Sequence, residues 1–296
     1  MRYGSVCSGI EAFSVAVSHA PQWTPAWFAE IDPFCCDLLK QRYPGVSNYG
    51  DIVAKPIDEF APVDIVVGGT PCQSFSVQGN RQGLDDERGQ LALRFCEIVA
   101  QCNPRWVLWE NVPGALSHER GEAFACLLHR LGKLGYFCAW RILDARHFGV
   151  AQRRRRVFLV GCRRSWRHAG AVLFEPRADG KDVGAAGKVQ AGKRVDPRAK
   201  GHVIGWSGDT TPKFGINVVP TLRASQGGEG VGVIIDGRMS RLTINEWERL
   251  QGFPDDYTKL EGWSERHRRH ALGNSFAVPV VRWIAERIEA ADACVD

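Results

Sequence analysis

Short apolar runs alternate with stretches of mixed polarity over the first 160 or so positions. The runs at Tyr3 to Cys7, Pro25 to Ala29, Val63 to Val67, Trp106 to Trp109 and Val157 to Gly161 are rich in Val, Ile, Phe and Trp. Such brief, nearly unbroken runs are the pattern of strands buried on both faces. Between them, 32 to 43, 88 to 102 and 119 to 134 carry the spacing of amphipathic helices. The alternation predicts an α/β fold, a mostly parallel sheet of Rossmann-like type covered by helices on both faces and joined by right-handed crossovers. From about 165 to 240 glycines, prolines and basic residues replace periodic apolar positions, which predicts a small irregular or β-rich insert. Helical patterning returns at Thr243 to Gln251 and at Ser275 to Glu289, the latter with Phe276, Val280, Ile284 and Ile288 four residues apart.

The candidate chemistry falls where these runs end. Gly68-Gly69-Thr70-Pro71-Cys72-Gln73 closes the third run and sets a cysteine past the carboxyl end of a predicted strand, the edge at which open α/β sheets hold their ligands. A presented nucleophile and a buried core thiol both fit that motif alone. Ser5-Val6-Cys7-Ser8-Gly9-Ile10-Glu11-Ala12 joins a strand to a helix through small residues, a turn that lets a nucleotide-like ligand approach the backbone, although it lacks G-x-G-x-x-G. About twenty residues on, Glu30 ends the second run, and Asp51 stands near a third strand end; carboxylates there suit the ribose of an adenosine ligand, and capping or surface acids are the alternative. Glu110 follows the fourth run, where a half-buried carboxyl gains a raised pKa and serves as an acid. In Gln152-Arg153-Arg154-Arg155-Arg156, a strand period of two sets Gln152, Arg154 and Arg156 on one face and Arg153 and Arg155 on the other.

Composition narrows the setting. A chain of 296 residues with 44% hydrophobic positions buries a substantial core. It has no apolar run near the roughly 18 residues of a membrane span and no signal-peptide pattern at Met1 to Ser5, so a cytoplasmic protein is expected. Ten scattered cysteines without a C-x-x-C pair are expected to be reduced thiols, with no metal. Net charge is +5, but residues 140 to 203 hold 16 Lys/Arg against 5 Asp/Glu. A concentrated basic stretch suits a polyanion, since phosphate neutralisation supplies most nonspecific nucleic-acid affinity; a solvated surface is the alternative.

The order of these motifs resembles the DNA (cytosine-5) methyltransferases, of phage-like or restriction-modification type, along nearly the whole chain except much of 165 to 215. Pro71-Cys72-Gln73 looks like the family's nucleophile motif, Glu110-Asn111-Val112 like its Glu-Asn-Val, and Gln152, Arg154 and Arg156 like its Gln-x-Arg-x-Arg. Arg241-Leu242-Thr243 with Glu246, Leu250 and Gln251 to Pro254 resembles the segment that organises the recognition domain, and Gly273-Asn274-Ser275 the final motif. Pro220-Thr221-Leu222 with Gly227-Gly228 resembles the recognition domain's Thr-Leu element. There are two departures: Cys7 and Glu11 replace the aromatic and the second glycine of the family's cofactor loop, and the insert is short.

The resemblance implies transfer of a methyl group from S-adenosylmethionine to C5 of cytosine in a specific duplex DNA sequence, through a covalent Cys72 adduct and base flipping. It implies Cys72, Glu110, Arg154 and Arg156 as catalytic residues. Cofactor contacts would come from Cys7, Ser8, Gly9, Ile10, Glu11, Glu30, Ile31, Asp51, Ile52, Pro71, Leu91, Asn274 and Ser275, and DNA contacts from Ser76, Arg81, Arg153, Arg155, Thr221 and Leu222. It divides the chain into a catalytic and cofactor-binding domain (1–164), a target-recognition domain (165–240), a supporting hinge (241–262) and a C-terminal helix returning to the first domain (263–296), acting as a monomer. The competing readings are methylation of RNA cytosine by the same chemistry, a catalytically silent DNA-binding relative, and a thiol oxidoreductase, for which Cys72 lacks a nearby resolving cysteine.

Overall fold

The computed structural model describes residues 1–70, 87–174, 202–207, 210–216, 219, 221–222, 230–235 and 238–294; for 87–90, 119 and the strand residues 202–240 it describes the backbone alone. Pro71, Cys72, Ser76 and Arg81 lie outside the described residues.

The first body runs β1 (Arg2–Val6), α1 (Ala12–Val17), β2 (Thr24–Ala29), α2 (Pro33–Arg42), β3 (Ser47–Asn48), β4 (Ile65–Gly68), α3 (Glu87–Cys102), β5 (Trp106–Asn111), α4 (Glu122–Lys133), β6 (Phe137–Asp144), β7 (Arg155–Cys162) and α5 (Trp166–Leu173). Seven strands form one sheet in the order β3-β2-β1-β4-β5-β7-β6. Neighbours from β3 to β5 are parallel, and β7 runs antiparallel to both β5 and β6. The strands alternate between two apolar layers as a period of two requires. Ile65, Val67, Trp106, Leu108, Phe158 and Val160 face one layer, and Val66, Val107, Trp109, Val157 and Leu159 face the other. Gly4 in β1 leaves room for the Trp27 indole, since a Cβ there would come 2.1 Å from the ring.

The expected strands and the helices at 32–43, 88–102 and 119–134 are present within a few residues. Two elements of this body differ from expectation. β6 went unpredicted because it is an edge strand whose side chains alternate poorly, with Phe137 and Trp140 exposed. α5 lies inside the stretch expected to be irregular; Ser165 caps it by accepting from the His168 N–H at 3.4 Å, and it buries Ala169, Val172 and Leu173. It packs on β6, β7 and the C-terminal helix, so the first body extends through Leu173. Beyond it, β8 (His202–Ser207), β9 (Thr210–Ile216), β10 (Gly230–Ile235) and β11 (Arg238–Arg241) form an antiparallel sheet ordered β11-β10-β8-β9, the expected β-rich insert.

Three helices complete the chain: α6 (Ile244–Gln251), α7 (Glu265–Asn274) and α8 (Val278–Ala293). α7, too polar to show a periodic stripe, buries Arg268, Ala271, Leu272 and Gly273. α8 packs its Val280, Ile284 and Ile288 face against α1 and α5, so the end of the chain covers the start of the sheet.

Candidate active site

The loop after β1 is held in a shape that needs three left-handed residues, Cys7 (φ 52°), Gly9 (φ 54°) and Glu11 (φ 55°), two of them not glycine. Such positions cost roughly 1 kcal/mol or more each in non-glycine residues and persist where surrounding structure over-determines them. Here the determinants are polar. Ser8 Oγ donates to Ser5 O (2.9 Å) and accepts from the Ala29 N–H (3.1 Å), which ties the loop to the end of β2. Glu30, at that strand end, accepts from the N–H groups of Gly9 (2.6 Å), Ile31 (2.9 Å) and Asp32 (2.8 Å). Tyr257 Oη donates to Ile10 O (2.8 Å), bracing the loop from the opposite side. The Cys7 thiol is pushed up to about 12 by burial and by Glu30 and Asp51, so it stays protonated.

This loop forms one wall of a cavity, open to solvent on one side, lined by Ser5, Cys7, Ser8, Gly9, Glu11, Gly69, Glu110, Asn274, Ser275 and Phe276, among others. Three distant motifs thus meet in one place: the first turn, the ends of β4 and β5, and the α7 to α8 junction. Ile10 is fully buried, and Glu30, Ile31, Asp51, Ile52 and Leu91 are not part of this lining. Ile31 is 68% exposed on the surface beyond Glu30, while Asp51 accepts from the Val53 N–H (2.8 Å).

At the reacting end the geometry is set by β5. Trp109 Nε1 donates to Thr70 Oγ1 (3.0 Å) and Asn111 Nδ2 donates to Thr70 O (2.7 Å), while the Val112 N–H donates to Asn111 Oδ1 (2.8 Å). Thr70 is buried, so the residue just ahead of Pro71-Cys72 is fixed by two side chains of the neighbouring strand. Glu110 is buried, and its Oε1 lies 3.2 Å from Arg156 Nε. Burial raises its carboxyl above the usual carboxylate range, with Arg156 and then Arg154 pulling it back down. A Cβ on Gly69 would stand 2.9 Å from the Phe276 ring and 3.5 Å from Glu110 Oε2, so a glycine is needed for these groups to converge.

The basic run alternates as expected, with Arg153 and Arg155 exposed, Gln152 and Arg154 buried, and Arg156 between. The two arginines on the inner face do different things. Arg156 pairs with Glu110, whereas Arg154 spends its donors on backbone carbonyls: Nη1 on Leu222 O (3.3 Å) and Gly273 O (3.1 Å), Nη2 on Ser275 O (2.6 Å). Arg154 therefore positions the Gly273-Asn274-Ser275 turn rather than facing the cavity. Burial lowers its pKa to about 9. Gln152 makes a matching junction, donating to Leu250 O (2.9 Å) and accepting from the Leu222 N–H (3.1 Å). Leu222, expected at the DNA, is fully buried in the core of this structure. Thr221 is partly exposed, its hydroxyl donating to Arg153 O (2.5 Å).

A second buried network was not foreseen. Glu248 on α6 accepts from the N–H groups of Asp256 (2.7 Å) and Thr258 (2.8 Å) and pairs with Arg268 on α7 (3.0 Å). It shapes the segment that carries Tyr257, and hence the brace on Ile10. A Glu inside an amphipathic helix gives no sign in sequence that it will be buried.

Comparison with known proteins agrees with this geometry. The family model described as C-5 cytosine-specific DNA methylase matches residues 1–182 and 182–290. The chain belongs to that family. As such it is a DNA (cytosine-5) methyltransferase dependent on S-adenosylmethionine. A Type II methyltransferase of Bacillus subtilis, M2.BsuMI, is 33% identical over 97% of this chain and 75% of its own length, and M.DsaV of Dactylococcopsis salina is 30% identical over 88% and 78%. A protein of Escherichia phage P1 named DNA N-6-adenine-methyltransferase is 30% identical; the chain spans 61% of its length. The crystal structure of S. pombe Dnmt2 methyltransferase superposes with a TM-score of 0.71 over 99% of this chain and 100% of that one, at 18% identity. A putative DNA modification methyltransferase encoded within an E. coli prophage gives 0.68 over 98% and 99%, at 19%. At such identities these two likenesses speak for the fold.

The methyltransferase's cavity fits its cofactor. It adjoins a strand-end carboxylate, is lined by the exposed Asn274 and by Ser275, and holds two buried acceptors without a hydrogen bond of ordinary geometry, Glu11 Oε1 and Glu110 Oε1, the second of them ion-paired with Arg156. Among the described residues no helix is long and apolar enough to cross a membrane.

Proposed function

We propose that the chain methylates C5 of cytosine within a specific sequence of duplex DNA, acting as a monomer, with Cys72 as nucleophile and Glu110 as the acid that engages the ring. The observation that carries this reading is the pairing of buried Glu110 with half-buried Arg156 beside the clamped Thr70, with Glu110 lining a cavity walled by the first and last motifs. Cytosine C5 is a weak nucleophile. Addition of the Cys72 thiolate to C6 makes C5 electron-rich enough to attack, which divides one hard step into easier ones. A thiol of pKa about 8.5 is only a few per cent ionised near neutrality, so positive charge at the site aids the attack.

Glu110, whose carboxyl burial shifts toward holding a proton, engages N3 of the ring and stabilises the negative charge that grows there as sulfur adds. Arg156 holds that carboxyl in place from its other side. When bound, S-adenosylmethionine supplies an electrophilic methyl group. After C5 is alkylated, loss of its proton and elimination of the Cys72 thiolate restore the aromatic ring. A stacked base hides its faces, so the target leaves the helix at a cost of a few kcal/mol. Arg153 and Arg155, exposed on the outer face of the basic run, suit the DNA backbone, as do Ser76 and Arg81 from the segment after Cys72. In this division 1–164 carries the chemistry with α5 packed on it, the sheet within 165–240 reads the target, and 241–262 supports both.

Incubation with duplex DNA and labelled S-adenosylmethionine, followed by digestion to nucleosides, tests the reaction. Label is expected in 5-methylcytosine. Label in N6-methyladenine, the product implied by the phage P1 protein's name, would overturn it.

A further inference from the structure

We propose that Glu11 receives the cationic α-ammonium group at the amino-acid end of S-adenosylmethionine. The inference rests on the cofactor assignment above and adds a recognition role for a side chain that stands where a glycine would fold more easily.

Three observations converge. First, Glu11 is 1% exposed and holds a left-handed backbone at φ 55°. Its Oε2 caps α1, accepting from Ser14 N (3.3 Å) and Ser14 Oγ (2.5 Å). Its Oε1, beside Ser5, makes no hydrogen bond of ordinary geometry. Second, Glu11 lines the same cavity as Asn274 and Ser275. Third, among the described residues the charge in that lining is one-sided: it holds two carboxyls, Glu11 and Glu110, and no Lys, Arg or His. Glu110 is matched by Arg156, so Glu11 is the acid that lacks a cation. An ammonium group supplies both the charge and the donors.

The surroundings shift Glu11 toward holding a proton. Burial pushes its carboxyl up to about 7, and Glu30, at the end of β2, pushes the same way. Tyr3 on β1, which shares Ser14 with Glu11, is raised beyond the physiological range, as is Tyr257. Tyr43 after α2 is raised as well, and Cys7 is held protonated. Across the cavity, Glu110 is the other raised carboxyl. An arriving ammonium favours the ionised form, so below about pH 7 binding must release a proton from Glu11 and affinity falls as pH falls.

Titration calorimetry of the full chain with S-adenosylhomocysteine and with its des-amino analogue, from about pH 6 to about pH 8, separates the possibilities. For the amino ligand, affinity is expected to rise across this range. For the des-amino ligand, which brings no cation, it is expected to stay level or fall. Glu11→Gln keeps the Ser14 cap and should weaken the amino ligand about tenfold at the upper end, abolish its acid limb and leave the des-amino ligand within about twofold. Glu110→Gln should retain the acid limb. Equal weakening of both ligands by Glu11→Gln, or no weakening of either, overturns this proposal while leaving the cofactor assignment intact. A wild-type chain that binds neither nucleoside overturns both.

Discussion

Glu110 and Arg154 are buried charged side chains of the same corner, and their partners separate their roles. Glu110 meets one guanidinium at 3.2 Å and otherwise faces the cavity, so its substitution should be felt in chemistry. Glu110→Gln keeps shape but cannot pass a proton; kcat is expected to fall at least about 100-fold, while the Kd for S-adenosylhomocysteine stays within about threefold. Comparable losses in both would assign Glu110 to cofactor binding instead. Arg154 has three backbone carbonyls as partners, lying 68, 119 and 121 positions away in the chain. Arg154→Met leaves those acceptors unsatisfied and should cost about 2–4 kcal/mol, lowering Tm by several degrees in a thermal melt. A melt unchanged by that substitution would contradict the positioning role. At this scale, residues at strand ends were legible in sequence: Glu30 and the turn from Cys7 to Glu11 fall just past them, and Glu110 is the last residue but one of β5. Their partners were not. Nothing local tells that Arg154 reaches Ser275, or that Leu222 is core, because both facts belong to contacts across more than sixty residues.

Elements were readable in proportion to how fully one pattern governs them. β4 and β5, buried on both faces, appear as plain apolar runs, and α6 announces itself by Thr243 and Glu246 three residues apart. That spacing forms a capping box: the Thr243 N–H donates to Glu246 Oε2 (2.7 Å), and Thr243 Oγ1 accepts from the Glu246 N–H (3.3 Å). Edge strand β6 and the polar helix α7 escape because their stability comes from neighbours rather than from their own periodicity. The cap has a measurable role here, since α6 carries Glu248 and ends beside Leu250 O, the acceptor of Gln152. Thr243→Ala is expected to cost about 1 kcal/mol and lower Tm by a few degrees, with activity at room temperature retained. An unchanged melting curve would show that tertiary contacts alone hold the helix start.

Over the whole molecule the chain is a loop of dependencies that returns to its beginning. α8 packs on α1 and α5, Tyr257 braces Ile10, and Arg154 ties the α7 to α8 junction to β7, so the cavity exists only when residues from both ends of the sequence are folded together. Fold class and the edge of the sheet bearing the site were legible because they follow from strand order. The closure of the site by its last motif was anticipated through family resemblance alone, since no periodicity encodes it. Every step of the proposed chemistry depends on one covalent bond, between the Cys72 sulfur and C6 of the target base. Duplex DNA carrying 5-fluorocytosine tests that bond, because fluorine at C5 cannot leave as a proton does and the adduct persists after methyl transfer. The measurement is a peptide map of the trapped complex formed with S-adenosylmethionine. The account predicts a crosslink at Cys72 that is absent in Cys72→Ser; a crosslink at another residue, or none from a preparation that demonstrably makes 5-methylcytosine, would contradict it.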